Sequence, residues 1–384
     1  MPMSSQEALA RLVGFPTISD RSNLELIEYV EALLGRYGAR CVRVPNGDGS
    51  KASLYASIGP MVAGGVVLSG HSDVVPVAGQ TWTSDPFILA ERDGRLCGRG
   101  TTDMKGFLAA GLAALPRMQA AELARPIHFA ISYDEELGCL GAPEMIAAMA
   151  GDLPPPAAVL VGEPTLMQVV TCHKGCLDLT TTVTGKAIHS SLNHRGVSAI
   201  SVAARLIGWL DARQAQMRAA AAPDSPFEPG YTTFHCGVIQ GGNATNIVAQ
   251  HCAFSTDIRT VDTDDVRVHL GAYRDFIASE IVPAMRAIAP ECGVEVSVDA
   301  EIPVFRRETG SAAEALARRL TGDNGFHVKS GGTEAGQFQQ AGFSTVICGP
   351  GSMEQAHQPD EFITLEQLAA ADQFIERLVE EMCR

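Results

Sequence analysis

The chain has 384 residues, 46% of them hydrophobic and 19% charged, which is the composition of a globular protein long enough for two cores. Its formal net charge is −15 and it has no block of Lys or Arg, so it lacks the basic face that a nucleic acid or an anionic membrane requires. No basic segment leads into an apolar stretch at the N-terminus and no apolar run is long enough to span a bilayer; with ten scattered cysteines, a cytoplasmic protein with reduced thiols is expected.

In chain order, Leu26, Ile27, Val30, Leu33 and Leu34 fall at helical spacing and predict a helix over 24–37. Residues 66–68 predict a short buried strand. Residues 104–118 predict a helix with Phe107, Leu108, Leu112, Leu115 and Met118 on one side and Lys105 on its surface. Apolar runs at 127–131, 157–161 and 345–348 predict further strands, and 364–382 a closing helix. Strands alternating with helices point to an α/β layer with a mostly parallel sheet.

The middle of the chain has a different pattern. Residues 177–183 alternate apolar with Thr and Asp, as a half-exposed strand does. A helix over 197–218, strands over 233–239 and 248–258 joined by a turn at Gly241-Gly242-Asn243, a helix over 264–288 and a strand over 294–298 complete the series. The order β-α-β-β-α-β describes a ferredoxin-like α+β module, with one sheet face wet or used for association. The predicted organisation is a discontinuous catalytic domain, 1–174 with 301–384, and an inserted domain, 175–300.

The chemistry lies at the ends of the apolar runs. Leu68 leads to His71 and Asp73, Ile131 to Glu135 and Glu136, Val161 to Glu163, and Cys348 through Gly-Pro-Gly to His357. In open α/β sheets the carboxyl ends of the strands form the ligand-binding edge. Asp103 comes instead from Gly98-Arg-Gly-Thr-Thr at the start of a helix, whose N-terminus favours a carboxylate. Carboxylates gathered in one crevice repel one another unless a cation joins them. Two imidazoles and three carboxylates, with no thiolate, suit zinc, cobalt or manganese. Five ligands exceed the needs of one catalytic ion but serve a pair bridged by one carboxylate, with ions ~3.5–4 Å apart.

Ser69-Gly-His71-Ser-Asp73-Val-Val-Pro76, Gly98-Arg-Gly-Thr-Thr-Asp103-Met-Lys-Gly106, Asp134-Glu135-Glu136-Leu-Gly138, Gly162-Glu163-Pro-Thr165 and Ala356-His357-Gln-Pro-Asp-Glu361 together resemble the di-zinc aminoacylase and deacetylase family. That family includes acetylornithine deacetylases, succinyl-diaminopimelate desuccinylases and glutamate carboxypeptidases. The resemblance covers nearly the whole chain and implies a zinc-peptidase-like catalytic domain plus an inserted dimerisation or lid domain in a homodimer. It implies two divalent metal ions, zinc with cobalt as the alternative. Asp103 then bridges, His71 and Glu163 complete one site, and Glu136 and His357 the other. Asp73 orients His71, and Glu135 is the general base. Gly138 permits the turn that separates the roles of the two adjacent glutamates.

In the inserted domain, Thr184-Gly-Lys-Ala-Ile-His189-Ser-Ser resembles the family segment whose His reaches the active site, often from the partner subunit. His189 is expected at the developing oxyanion, Arg259 at the substrate α-carboxylate, and Asn246 as an added hydrogen bond. The stretch Gly332-Thr-Glu334-Ala-Gly-Gln-Phe is closer to the acetylornithine deacetylases than to the desuccinylases, with Glu334 as a partner for the substrate's side-chain ammonium. Residue 336 is Gly where the deacetylase pattern more often has Pro. The implied reaction is hydrolysis of an N-acyl amino acid, N2-acetyl-L-ornithine foremost, with succinyl-diaminopimelate, acetylcitrulline or a small peptide as alternatives. No P-loop, dinucleotide fingerprint or nucleophile elbow is present in the sequence.

Overall fold

The computed structural model describes residues 3–384 and divides them into two compact units. The first comprises residues 3–172 with Phe305–His327 and Thr333–Arg384; the second comprises His173–Val304 with Val328–Gly332. The short segment Val328–Gly332, expected in the first domain, clusters with the second. There Lys174 N donates to Lys329 O at 3.3 Å, and the Ser330 hydroxyl donates to Glu228 O at 3.0 Å.

The first unit is organised on a sheet whose strands run in the order Arg40–Pro45, Ala52–Ile58, Ile127–Ser132, Val66–His71, Ala158–Pro164, Thr345–Gly349, Val170–His173. Its centre is parallel: Val66–His71 pairs in parallel with both Ile127–Ser132 and Ala158–Pro164, and Thr345–Gly349 with Ala158–Pro164. Antiparallel partners flank that centre, so the sheet is mixed but mostly parallel where the site residues emerge. The central strands are buried along their length, which is why they read as continuous apolar runs rather than alternating ones. Helix Leu24–Arg36 buries Leu26, Ile27, Val30, Leu33 and Leu34, the stripe its spacing predicts.

The helix predicted over 104–118 is broken. A π-turn at Thr101–Lys105 leads into Gly106–Ala113, and a second helix runs Leu115–Ala120. Pro116 lacks the N–H that would continue the ladder, and its ring crowds the carbonyl four residues earlier. Lys105 is not on a surface. It is 0% exposed, and its ammonium donates to the carbonyls of Leu12 (3.0 Å) and Phe15 (2.9 Å) at the end of helix Ser5–Val13.

The second unit has a four-stranded antiparallel sheet, ordered Thr233–Gly241, His251–Thr260, Gly175–Thr184, Gly293–Ile302. With helices Ala199–Ala219 and Val266–Phe276 after the first and third strands, this is the ferredoxin-like arrangement. Leu177, Leu179, Thr181 and Val183 are buried, whereas Asp178, Thr180 and Thr182 are half-buried, so one face is closed and the other polar. The strand predicted from 248 starts at His251. Val248 N instead donates to Ile188 O at 2.9 Å and Ile247 bridges His189, drawing 242–250 into a longer excursion than a tight turn. The predicted 264–288 helix contains a π-turn, Ile277–Ile281, just before Pro283, where the hydrogen-bond ladder must slip. No helix among the described residues is long and apolar enough to cross a membrane.

His128 gives the sheet a pH dependence. It is 0% exposed, its Nδ1 meets the Ser57 hydroxyl at 2.7 Å, and burial pushes its pKa down to about 4. The unfolded chain takes up this proton near pH ~6.5 and the folded chain only near pH 4. Stability is therefore complete above pH ~6.5 and is lost as pH falls toward 4, by roughly 2–3 kcal/mol. In urea unfolding at pH 7 and pH 4.5, His128→Gln should be less sensitive to acid than the parent by about that amount. An unchanged difference would remove His128 as the cause.

Candidate metal centre

Each central strand delivers a donor at its carboxyl end. His71 closes Val66–His71, Glu163 lies in Ala158–Pro164, and Glu135 and Glu136 follow Ile127–Ser132. The approach of Glu163 requires two glycines. A Cβ at Gly162 would lie 2.0 Å from the Phe107 ring, and one at Gly349 would lie 2.0 Å from Gly162 O. Helix and neighbouring strand therefore close directly over the backbone that carries Glu163.

Asp103 stands between the two imidazoles. Its Oδ1 is 3.1 Å from His71 Nε2 and its Oδ2 is 3.2 Å from His357 Nε2. Glu163 Oε1 lies 3.6 Å from His71 Nε2, and Glu136 Oε2 lies 3.0 Å from His357 Nε2. Ligand atoms of His71, Asp103 and Glu136 lie within 4.8 Å of one another, as do those of His71, Glu135 and Glu163, so the donors gather around the His71 ring, with His357 beside Asp103 and Glu136. His71, Asp103 and Glu163 are buried at 0%, 4% and 3% exposure, while the His357 side chain is 45% exposed and marks the open side.

Crowding sets the electrostatics. Burial, then the charge of Glu163, pushes Glu135 well above the usual carboxylate range; burial and Asp103 push Glu136 up to about 7. Burial opposes charge on His71, but hydrogen bonds to Asp103 and Asp73 outweigh it and hold the imidazole well above its ordinary value. His357 is raised to about 10 by its hydrogen bonds to Asp103 and Glu136. Carboxylates that draw protons onto imidazoles in this way attract any cation. Glu136 Oε1 is buried with no hydrogen-bond partner, an open donor beside Asp103. The donor set fits divalent metal ions.

The second layer of contacts fixes this geometry. His71 Nδ1 hydrogen-bonds Asp73 O at 2.9 Å, which leaves Nε2 facing the carboxylates. The Asp73 carboxylate accepts from Ser19 Oγ (2.8 Å), Glu135 N (3.1 Å) and Glu136 N (3.3 Å), so one side chain holds both glutamates at the turn. Asp134, at φ 52, and Gly138, at φ 104, give that turn its left-handed bends.

A family model for peptidase family M20/M25/M40 matches residues 67–381. The chain belongs to that family. It is accordingly a metal-dependent amidohydrolase. Curated relatives include the acetylornithine deacetylases of Pasteurella multocida, 31% identical over 97% of this chain and 96% of the relative, and of Proteus mirabilis, 33% identical over 98% and 96%. Among solved structures, an M20 family metallo-carboxypeptidase from Sulfolobus solfataricus superposes with a TM-score of 0.76 at 18% identity, covering 99% of each chain. The Bacillus subtilis YXEP protein, a dinuclear metal binding peptidase of the M20 family, superposes with a TM-score of 0.63 at 18% identity, covering 98% of this chain and 96% of its own.

Within the M20 fold, the three site residues expected from the inserted domain lie in the second unit. His189 is exposed, and its Nδ1 meets Ser191 Oγ at 2.8 Å. Asn246 is exposed on the neighbouring loop, and its carbonyl accepts from Ser190 N at 2.9 Å. Arg259 makes a bidentate pair with Asp257, Nε at 2.8 Å and Nη2 at 2.7 Å, so its guanidinium is already engaged by a carboxylate.

Glu334, expected near the substrate's side-chain ammonium, is held by two hydroxyls. It is 2% exposed, and it accepts from Ser69 Oγ at 3.0 Å and from the Ser132 hydroxyl. It thereby ties together the strands that carry His71 and lead to Glu135.

Sequence reasoning missed several supports. Glu361, 1% exposed, pairs with the buried Arg99 at 2.7 Å and accepts from the backbone N–H groups of Thr102 (3.0 Å) and Asp103 (3.2 Å). The Lys51 ammonium pairs with Asp134 at 2.6 Å behind the turn. Glu361 was visible as part of its motif, but its partners lie some 260 residues away, at |i−j| of 258 to 262, beyond any local pattern.

Proposed function

We propose that the chain hydrolyses the amide bond of N-acyl-L-amino acids, with N2-acetyl-L-ornithine, giving L-ornithine and acetate, as its substrate. The placement of Asp103, with one oxygen toward each imidazole, supports a two-ion centre. Relatives named acetylornithine deacetylase over nearly the full chain support the substrate. His71, Asp103 and Glu163 would hold one divalent ion, and His357, Asp103 and Glu136 the other, zinc in the first instance and cobalt as the alternative. When bound, the ions supply Lewis acidity toward the scissile carbonyl and toward water.

The chain's own groups do the proton work. Glu135, whose carboxyl is raised by burial and the charge of Glu163, lies beside the proposed ligands, takes a proton from the attacking water and passes it to the leaving amine. Asp73 keeps Glu135 and Glu136 in register while holding the His71 ring. His189 is proposed to donate to the oxyanion as it develops, with Asn246 adding a hydrogen bond. Arg259 is proposed to exchange Asp257 for the substrate α-carboxylate, one bidentate carboxylate for another. Dimerisation through the inserted domain, residence in the cytoplasm and a place in arginine biosynthesis belong to the same proposal. The ten free cysteines agree with a reducing compartment.

The deciding experiment measures amine release from acetylornithine, acetylcitrulline, acetylmethionine and succinyl-diaminopimelate after chelation and reloading with zinc or cobalt. We expect turnover only with metal, and kcat/KM for acetylornithine at least about tenfold above the others, the discrimination that one well-placed polar contact supplies. Preference for another member would retain the chemistry and discard the substrate.

A further inference from the structure

Beneath the Glu135–Glu136 turn lies a thiol to which the proposed chemistry assigns no part. Cys139 is 0% exposed and sits at φ 57, a backbone conformation that side-chain-bearing residues seldom adopt. Its placement is determined from three directions. Its N–H donates to Glu135 O at 2.8 Å, its carbonyl accepts from Gln337 Nε2 at 3.2 Å, and the following Gly141 carbonyl accepts from Ser53 Oγ at 2.9 Å. The result brings Cys139 Sγ to 3.5 Å from Glu135 Oε1 in donor geometry.

We propose that Cys139 is a positioning residue for the Glu135 base: its S–H donates to Oε1 and so fixes the plane of the carboxylate and leaves Oε2 to face the water.

The proposal rests on the reading of Glu135 as the base. A carboxylate on a two-carbon stem has free rotation at its terminal torsion unless something holds it. Asp73 holds the Glu135 backbone, and the charges of Glu163, His71, Glu136 and Asp103 act on its carboxylate without fixing its plane. The thiol is therefore the donor that converts backbone order into side-chain order. A hydroxyl would serve in the same place, whereas a methyl would not. Gln337 enters the same argument one step further out. Its amide fixes the Cys139 carbonyl, and it comes from helix Ala335–Gln340, directly after the buried Glu334 that braces the strands below. One short helix thus supports the floor of the site and the orientation of its base.

The test uses the metal-loaded full chain and compares Cys139→Ala, Cys139→Ser and Glu135→Gln. Cys139→Ala should lower kcat about tenfold, the effect of one lost hydrogen bond, with KM within about twofold. Metal content, measured by elemental analysis, should not change. Cys139→Ser should recover kcat to within about twofold of the parent, because a hydroxyl donates at least as well as a thiol. An unchanged kcat in Cys139→Ala, with Glu135→Gln inactive, would overturn the role of Cys139 and leave the base intact. Equal losses in the Ala and Ser variants would also overturn it, since packing rather than donation would be the cause. Full activity in Glu135→Gln would overturn the base assignment itself, and the proposal with it.

Discussion

Glu135→Gln should reduce kcat by about 10³-fold, within the 10²–10⁴ range that a general base contributes, while KM changes little and two metal ions remain bound. Gln has nearly the same shape as Glu, so the turn held by Asp73 should persist. It cannot accept and return a proton, and the loss should fall on turnover rather than on affinity. The pairing of measurements matters here. Glu135 and Glu136 are neighbours in sequence but differ in surroundings: Glu136 faces His357 at 3.0 Å, and Glu135 faces the Cys139 thiol. A matching substitution at Glu136 should remove metal as well as activity, whereas Glu135→Gln should remove activity alone. Retention of a tenth or more of parental kcat in Glu135→Gln would refute its role as the base.

Asp103→Asn should have a comparable effect by another route. The substitution keeps the shape but removes the charge between the two imidazoles, and each group of ligands loses its shared member. Because disturbing mere outer contacts to a ligand costs about 10–100-fold in metal affinity, removing the bridge should cost more than about 100-fold. Stability offers a readout independent of turnover. A ligand at about 100 times its Kd stabilises the folded state by ~2.7 kcal/mol. Zinc at that excess should raise the midpoint of thermal unfolding of the parent, and the rise should vanish in Asp103→Asn. A full zinc-dependent rise in the variant would show that Asp103 does not bridge.

Much of this candidate site is legible in the sequence because every proposed donor but Asp103 follows an apolar run. A buried parallel strand announces itself through continuous Val, Ile and Leu, and its carboxyl end is then a place where a lone His or Glu stands out. The strands Arg40–Pro45 and Ala52–Ile58 escape notice for the converse reason. The first is short, fully buries no residue, and has Arg40, Arg43 and Pro45 breaking up Val42 and Val44; the second is rich in Ala and Ser although it is buried throughout, so neither forms a clear apolar run. Lys105 misleads because a lysine after a helix start ordinarily faces water. Here Leu12 O, in the last turn of helix Ser5–Val13, and Phe15 O just beyond it accept hydrogen bonds from its ammonium, and only the tertiary fold brings them there. The hydroxyl partners of Glu334, Ser69 and Ser132, were not legible either, since they lie more than 200 residues away. The break at Pro116 and the slipped ladder before Pro283 were readable in principle, since both follow from a missing N–H.

The buried pair of Arg99 and Glu361 has a consequence for how the enzyme comes into being. Glu361 orders the Asp103 backbone from 258 residues further along the chain, and His357 is similarly distant. A polypeptide growing from its N-terminus therefore carries four of its five ligands, with the whole second unit, before the last ligand and the brace for the shared carboxylate have been made. Closing so long a loop costs entropy that only the finished contacts repay. Chains that end before residue 357 should thus be inert toward peptides around them, and hydrolytic competence should arrive only once residues 357–361 are in place. The topology keeps the proposed amide-cleaving centre unassembled until residue 361 has been added.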